Sequence, residues 1–234
     1  MSGRPMVYEC RNNRVEEDIL CREAELFEAL GHSTRIGKTG TFSILAISEN
    51  PKLLGVAVAS GSKSVGTRVP HAKPGVGVVA TQAYTNIAYG VEGLKLLETG
   101  FSPAEALNKL LAEDHEREMR QVAIMDFAGR KAVFTGSETP EWHGEIVGRD
   151  YIVVGNLLKN EEVLNSMALE FENTSGDLAW RMLKALKAGS NSGGDKRGEK
   201  SAAIIIVSAS KIEVNSRVDT HKNPIQMLER QLKT

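Results

Sequence analysis

The sequence has few aromatic residues, two cysteines and no long apolar run, and each of these features narrows what the chain can be. Aromatic side chains make up 5% of the 234 residues. Apolar runs such as residues 202–207 are far shorter than the roughly 20 residues that a membrane helix requires, so no membrane association is expected. Cys10 and Cys21 have no partner cysteines or clustered histidines at zinc-ligand spacing. They therefore indicate free thiols, with a disulfide between them as the alternative.

The chain also lacks an excess of charge of either sign. It contains 29 basic and 30 acidic residues, for a net charge of -1, which argues against a nucleic-acid groove or an anionic membrane surface as partner. The first forty residues contain no basic stretch followed by an apolar segment, so no secretory signal is expected and the cytoplasm is the predicted location. His71, His143 and His221 share no metal-ligand spacing. We therefore expect no metal and no cofactor.

Two regions of different character follow one another along the chain. Residues 1–40 are expected to form a leader with one amphipathic helix over about residues 15–30. The apolar stripe of this helix includes Val15 and Leu30, and Gly31 ends the helix. That stripe needs a partner, either the main domain or another subunit. Residues 41–234 are long enough for one domain with a substantial core.

From Thr41 onward the pattern predicts strands and helices in alternating groups. The Ser102-Pro103 pair with Glu105 predicts a capped helix start. The predicted strands are residues 41–48, 53–60, 75–82, 121–127, 131–135, 151–155, 201–208 and 211–215. Two helices are predicted after the third strand, two more at about residues 161–172 and 176–188, and a last one at 224–232.

Consecutive hairpins favour antiparallel sheets, and strands that are apolar on both faces, such as residues 56–59 and 204–207, must be covered twice. The predicted fold is therefore α+β, a four-layer αββα sandwich of two antiparallel sheets flanked by helices. The alternative is a two-layer α+β fold, which would leave one sheet face in contact with water.

The Gly40-Thr41 pair opens the first strand directly after the leader. If this peptide bond were cut, Thr41 would carry a free α-amine, with a pKa of about 8, beside its own hydroxyl. One residue could then supply both base and nucleophile, and we expect it at the mouth of a cleft. The alternative is a linker glycine before an ordinary strand.

Several segments after the leader together resemble a known family. They are Thr41-Phe42-Ser43-Ile44, Val69-Pro70, Gly75 through Ala83, Arg120-Gln121-Val122, Phe134-Thr135-Gly136-Ser137, Gly155-Asn156, Gly193 through Gly198 and Val218-Asp219. In this order they resemble the domain of unknown function family one thousand and twenty-eight, which is grouped with the N-terminal-nucleophile (Ntn) hydrolases. Family members usually carry methionine before the threonine, where this chain has Gly40. Exposure of Thr41 would therefore require autoproteolysis or a protease.

The resemblance implies a role for each of several residues. Thr41 would be the nucleophile. Lys73, just before the third strand, would keep the threonine amine neutral as the lysine of proteasome β-subunits does, unless it is simply a solvated loop residue. Asp195, six residues before an apolar strand, would support the threonine amine, unless it belongs to a surface turn. Asn156 would assist the oxyanion or the amine, or else only turn the chain at a strand end.

The resemblance also implies an oxyanion-binding group at the end of the third strand. The backbone amides of Gln82 and Ala83 are the candidates, with help from the Asn86 side chain; alternatively, this polar strand end caps the next helix. Proteasome-like enzymes carry an aspartate at the end of the second strand, where this chain has Ser60, the polar group nearby and a further candidate for oxyanion or substrate binding. That departure argues against proteasome-type peptidase activity.

Two hypotheses of function follow. The first is an amidohydrolase that acylates Thr41 with a small amide or peptide-like substrate. The second is a catalytically silent binding or assembly protein on the same scaffold, with the leader helix covering the cleft or joining subunits. In either case a homo-oligomer is expected, most simply a dimer.

Overall fold

The computed structural model describes residues 40–233 of the chain. The predicted leader helix lies outside these described residues. Within them the order of elements is strands, two helices, strands, two helices, strands and a final helix, as the sequence pattern predicts. None of the helices in this part of the chain has both the length and the apolar character needed to cross a membrane.

The strands form two sheets in which all neighbouring pairs are antiparallel. The larger sheet has the order β10-β9-β2-β1-β8-β7, with β1 Thr41–Glu49, β2 Lys52–Ser60, β7 Gly144–Val147, β8 Tyr151–Asn156, β9 Ser201–Val207 and β10 Ile212–Val218. The smaller sheet has the order β3-β4-β5-β6, with β3 Pro70–Lys73, β4 Gly77–Ala83, β5 Arg120–Asp126 and β6 Lys131–Thr135. The predicted α+β class with two antiparallel sheets is confirmed.

Two short strands escape the sequence analysis. β3 and β7 have four residues each and lie at sheet edges, and four residues are too few to establish a hydrophobic period. The strand predicted over residues 75–82 begins two residues later in the structure, at Gly77. Gly75 instead has a φ of 69° in the turn between β3 and β4, a conformation that glycine adopts without a steric penalty.

Five α-helices accompany the sheets in the described part of the chain. They are α1 Ala88–Glu98, α2 Pro103–Glu113, α3 Glu162–Asn173, α4 Leu178–Asn191 and α5 Pro224–Leu232. The predicted capping box at the start of α2 is confirmed, since Ser102 Oγ accepts from the Glu105 amide at 3.3 Å and Glu105 Oε2 accepts from the Ser102 amide at 2.8 Å.

Three apolar clusters hold these elements together. One contains side chains of both sheets, including Leu45, Val56, Val78 and Met125. A second joins the opposite face of the larger sheet to α3, α4 and α5, and a third joins the smaller sheet to α1 and α2. Because alternate residues of a strand point to opposite faces, both faces of the central strands are covered.

The layer between the two sheets changes from apolar to polar at one end. The inward positions of β1, β2 and β8 are apolar until Thr41, Ser43, Ser60 and Asn156 are reached, and those of β4 and β5 until Gln82 and Gln121. All six residues are at most 2% exposed. Buried polar groups require hydrogen-bond partners, and the partners that they find define the candidate site.

Candidate active site

Thr41 is the first residue of β1 and lies between two polar neighbours. It is paired with Ser60 on β2 and with Asn156 on β8, and its Oγ1 lies 3.1 Å from Ser60 Oγ. With Gly40 still attached, Thr41 is 2% exposed. The uncut chain therefore holds this hydroxyl in a closed interior rather than at the mouth of the expected cleft.

The carbonyl of Gly40, the residue joined to the Thr41 nitrogen, accepts two hydrogen bonds. Ser60 Oγ donates at 2.6 Å and Arg197 Nη2 donates at 3.1 Å. A hydroxyl has a single proton, and Ser60 uses it on this carbonyl. In the contact between Thr41 and Ser60, the Thr41 hydroxyl is consequently the donor.

Asp195 lies against the backbone of the residue before Thr41. Its carboxylate is buried and accepts from the Gly61 amide at 2.6 Å and from Arg197 through Nε at 3.0 Å and Nη2 at 2.8 Å. A Cβ built on Gly40 would stand 2.5 Å from Asp195 Oδ2, and one built on Gly61 would stand 2.6 Å from it. Only glycine leaves room at these two positions, and the structure thus brings Asp195 to the Gly40-Thr41 bond.

A buried amide network faces Thr41 from the smaller sheet. Gln82 accepts from Ser43 Oγ at 2.6 Å, and its Nε2 donates to Gln121 Oε1 at 2.7 Å and to the Thr41 carbonyl at 3.4 Å. Gln82 was expected to act through its backbone amide. In the structure its side chain is the part that contacts Thr41.

Gln121 determines how the neighbouring amide of Asn156 is oriented. Gln121 Nε2 donates to Thr135 Oγ1 and to the carbonyls of Gly144 and Gly155, at 3.0 to 3.1 Å. Its Oε1 must then face Asn156 Nδ2, which donates to it at 3.1 Å. Asn156 Oδ1 is left buried without a hydrogen-bond partner, so one acceptor beside Thr41 is available.

Two predicted site residues are not brought to Thr41. Lys73 pairs with Gly77, at the opposite end of β4 from Gln82, and its Nζ lies 2.6 Å from Glu98 Oε2 in a half-exposed ion pair. Asn86 caps α1, because its Oδ1 accepts from the Ala88 amide at 3.1 Å. Lys73 is replaced as the nearby cation by Arg197, and Asn86 has the helix-capping role that was considered as its alternative.

Ala83, the other predicted oxyanion residue, ends β4 opposite Arg120. Its φ is 67°, an unusual value for a residue with a Cβ. The strand direction therefore changes directly after Gln82. The Gly40 carbonyl accepts instead from Ser60 and Arg197.

The sequence analysis did not identify Gln121, Arg197, Ser62 or Arg68 as site residues. Gln121 carried a usable signal, because it occupies an inward position of an otherwise apolar strand. Arg197 follows Asp195 closely and belongs to the surface turn that was considered as the alternative for Asp195, so no role of its own was assigned to it. Arg68 donates to Ser62 Oγ, and burial, followed by the charge of Arg197, lowers the pKa of its guanidinium.

Comparisons with known proteins agree on one family. Residues 41–228 match the family described as "Family of unknown function (DUF1028)". The crystal structure of a DUF1028 protein from Silicibacter pomeroyi has 35% sequence identity and a TM-score of 0.78, covering 83% of this chain and 85% of that chain. Anbu, an ancestral beta-subunit from Yersinia bercovieri, has 12% identity and a TM-score of 0.41 over 82% of this chain and 93% of that chain, which is too low to carry an argument. A search of curated proteins finds no match.

Proposed function

The chain belongs to the family of unknown function DUF1028, and we propose that it is a latent Ntn-type amidohydrolase. Thr41 becomes the N-terminal nucleophile when residues 1–40 are removed, and it then attacks the carbonyl of a small amide or peptide-like substrate. The three apolar clusters support the four-layer αββα arrangement that this class of enzyme uses.

One observation carries the proposal: the Gly40 carbonyl is held by two donors while the Thr41 hydroxyl donates to one of them, Ser60. Donors directed at a carbonyl oxygen stabilise the negative charge that develops there during nucleophilic attack. Ser60 can accept the Thr41 proton as it gives its own to that oxygen. The nucleophile, a proton relay and a polarised carbonyl thus lie together at the bond to be cut.

The cleavage step balances without a cofactor. Thr41 Oγ1 bonds to the Gly40 carbonyl carbon, the bond from that carbon to the Thr41 nitrogen breaks, and the hydroxyl proton passes to the leaving amine. Water then hydrolyses the resulting ester, which leaves a carboxylate on Gly40 and restores the Thr41 hydroxyl. Acylation by a substrate amide and release of its acid repeat the same two steps.

After cleavage the same groups suit an external substrate. Ser60 Oγ and Arg197 Nη2 lose the Gly40 carbonyl and can bind a substrate carbonyl in its place. Asp195 and the unpartnered Oδ1 of Asn156 are acceptors for the new α-amine of Thr41. In this assignment Lys73 has no role, and the positive charge comes from Arg197.

Intact mass spectrometry of the purified full-length chain tests the cleavage. We expect wild type and Thr41→Ser to separate into residues 1–40 and 41–234 on ageing, and Thr41→Ala to stay uncut. Ser60→Ala should slow cleavage about 100-fold or more, as loss of an oxyanion donor does. A wild-type chain that stays intact, or cleavage of Thr41→Ala at the same bond, would contradict the proposal.

Hydrolysis is tested on the cleaved product of the wild-type chain. A panel of acyl-amides, lactams and short peptides should include one that is turned over, with a transient acyl adduct on Thr41 detectable by mass. Uncut Thr41→Ala protein is the matched control. Turnover that is equal in the two samples would show that Thr41 is not the nucleophile.

A second candidate function is a catalytically silent binding or assembly protein. The burial of Thr41 favours it, since an uncut chain that is 2% exposed at this residue offers no access to a substrate. This candidate requires a stable full-length chain, and ultracentrifugation should then find a homodimer that persists on ageing. Cleavage coupled to Thr41-dependent turnover would exclude it.

A further inference from the structure

Arg68 is a cation at the site to which the hydrolytic chemistry assigns no role. Its Nη1 donates to the carbonyls of Lys63 at 2.8 Å and Ser64 at 3.2 Å, and its Nη2 donates to Ser62 Oγ. Among residues 40–233, no carboxylate lies within ion-pair distance of this guanidinium. Carbonyl oxygens hold its orientation, but they do not neutralise its charge.

A short chain of oxygen atoms connects Arg68 to the bond at Thr41. Ser62 Oγ, which Arg68 contacts, lies 2.8 Å from Ser60 Oγ, and Ser60 donates to the Gly40 carbonyl at 2.6 Å. Arg197 contacts that same carbonyl from its own side. The two guanidiniums therefore lie at the two ends of one hydrogen-bonded cluster.

The charges of this cluster do not balance. Asp195 is the carboxylate in it, and the two side-chain hydrogen bonds that it accepts come from Arg197, through Nε and Nη2. Counting only side chains of residues 40–233 in this cluster, Arg68 and Arg197 carry two positive charges and Asp195 one negative charge. Burial, followed by the charge of Arg197, lowers the pKa of the Arg68 guanidinium, and a bound anion would relieve the repulsion between the two charges.

This cluster is accessible from outside although Thr41 is not. The Arg197 side chain is 32% exposed, and Arg68 and Ser62 are partly exposed, with the exposed Lys63 beside them. An anion could therefore reach Arg68 from solvent while the reacting carbonyl lies deeper, at Ser60. Two hydroxyls, those of Ser62 and Ser60, lie between the Arg68 guanidinium and that carbonyl.

We propose that Arg68, with Arg197 beside it, forms a subsite for a carboxylate, so that the substrates of this site are amides bearing a carboxylate close to the scissile carbonyl. This inference rests on the proposed function for the reaction but not for the binding. A planar guanidinium recognises a carboxylate through paired hydrogen bonds. Ser62, which accepts from Arg68 and donates to Ser60, would position the guanidinium.

The experiment measures binding to the full-length Thr41→Ala chain, which remains one species whether or not wild type is cut. The probes are N-acetylglycine, an amide with a carboxylate, and N-acetylglycinamide, its uncharged counterpart, each titrated by calorimetry. We expect N-acetylglycine to bind at least about tenfold more tightly, as a charge-assisted hydrogen bond implies. Adding Arg68→Gln should remove this preference, whereas Arg68→Lys should retain part of it.

Arg149→Gln is the matched control, because it removes the same charge from a side chain that is 95% exposed, and it should leave both affinities unchanged. A second measurement needs no variant of Arg68. Phenylglyoxal modifies arginine side chains, and N-acetylglycine but not N-acetylglycinamide should slow its addition to Arg68, as quantified by peptide mass.

The inference would be overturned if the two probes bound equally or if neither bound. It would also be overturned if the Arg68→Gln protein kept the preference for N-acetylglycine, or if N-acetylglycine did not protect Arg68 from phenylglyoxal. Failure of the chain to cut at Gly40 would leave these measurements untouched. If the chain is cut and hydrolyses amides but shows no preference for N-acetylglycine, the hydrolase proposal stands and only the carboxylate subsite is refuted.

Discussion

Replacing Gln121 with leucine should destabilise this protein more strongly than almost any other change of similar volume. Gln121 is 0% exposed and links the two sheets through Gln82 and Asn156, which are also 0% exposed. Leucine has no acceptor for Gln82 Nε2 and none for Asn156 Nδ2. Water cannot replace Oε1 easily, because the leucine side chain fills the space.

The magnitude follows from the groups that lose their partners. Each buried donor left unpaired costs about 1–3 kcal/mol, so the two amide groups together cost about 2–6 kcal/mol. The carbonyl of Gly155 also loses a donor, and this further cost offsets the free energy gained by burying the apolar leucine side chain. We expect a loss of about 3 kcal/mol in the free energy of unfolding, a large share of the 5–15 kcal/mol typical of a domain.

The assay is urea unfolding followed by circular dichroism, in which the midpoint should fall by about 1 M or more. Gln226→Leu, on the exposed face of α5, is the control and should change stability by less than about 0.5 kcal/mol. The double variant Gln82→Leu/Gln121→Leu should lose less unfolding free energy than the sum of the losses in its single variants. In the double variant both ends of the hydrogen bond between Gln82 and Gln121 are removed, so neither amide is left without the other. A loss below about 1 kcal/mol for Gln121→Leu, or strict additivity, would refute this account of the network.

Three further predictions concern the approach to the site, the pH dependence and a helix end. Gly40→Ala places a Cβ 2.5 Å from the Asp195 carboxylate and should cost about 1–3 kcal/mol by overpacking, measured by urea unfolding; wild-type stability would contradict the close approach. Burial lowers the pKa of His71 despite its contact with the Arg68 carbonyl, so the unfolded chain binds more protons below about pH 6.5. Stability should fall as pH drops from that value towards the folded pKa, and the slope should shrink in His71→Gln; an equal slope in wild type and His71→Gln would contradict this assignment. Ser102→Ala removes the capping box of α2 and should lower the thermal unfolding midpoint by the equivalent of about 1 kcal/mol, which an unchanged midpoint would disprove.

The local sequence was sufficient where a signal and its structural consequence lie within a few residues. The capping box at Ser102 and the hairpin joining β5 and β6 are of this kind, because their hydrogen bonds join near neighbours in the chain. The antiparallel character of both sheets follows from such hairpins. Short edge strands such as β3 and β7 were missed because four residues are too few to establish a hydrophobic period.

The candidate site shows a sharper division. Thr41, Ser60, Asp195, Asn156 and Gln82 were identified as candidates from their positions at strand ends and from the family resemblance. The sequence analysis also selected Lys73, because it stands where a related class of enzymes has a lysine. The strand register instead puts Lys73 at the far end of β4, beside Glu98.

By itself, the sequence determined the class of fold, the family and the strand ends at which the polar residues gather, because hydrophobic periodicity and turn residues act over short distances along the chain. Only the tertiary structure decided which of those residues meet. Arg197 reaches Gly40 across 157 positions and Gln121 reaches Asn156 across 35, and contacts of that range depend on strand order and on how the two sheets pack. The strand order of the larger sheet brings Ser60 and the loop with Arg197 to the Gly40 carbonyl. The packing of the two sheets places the Gln82 and Gln121 amides against Thr41 and Asn156.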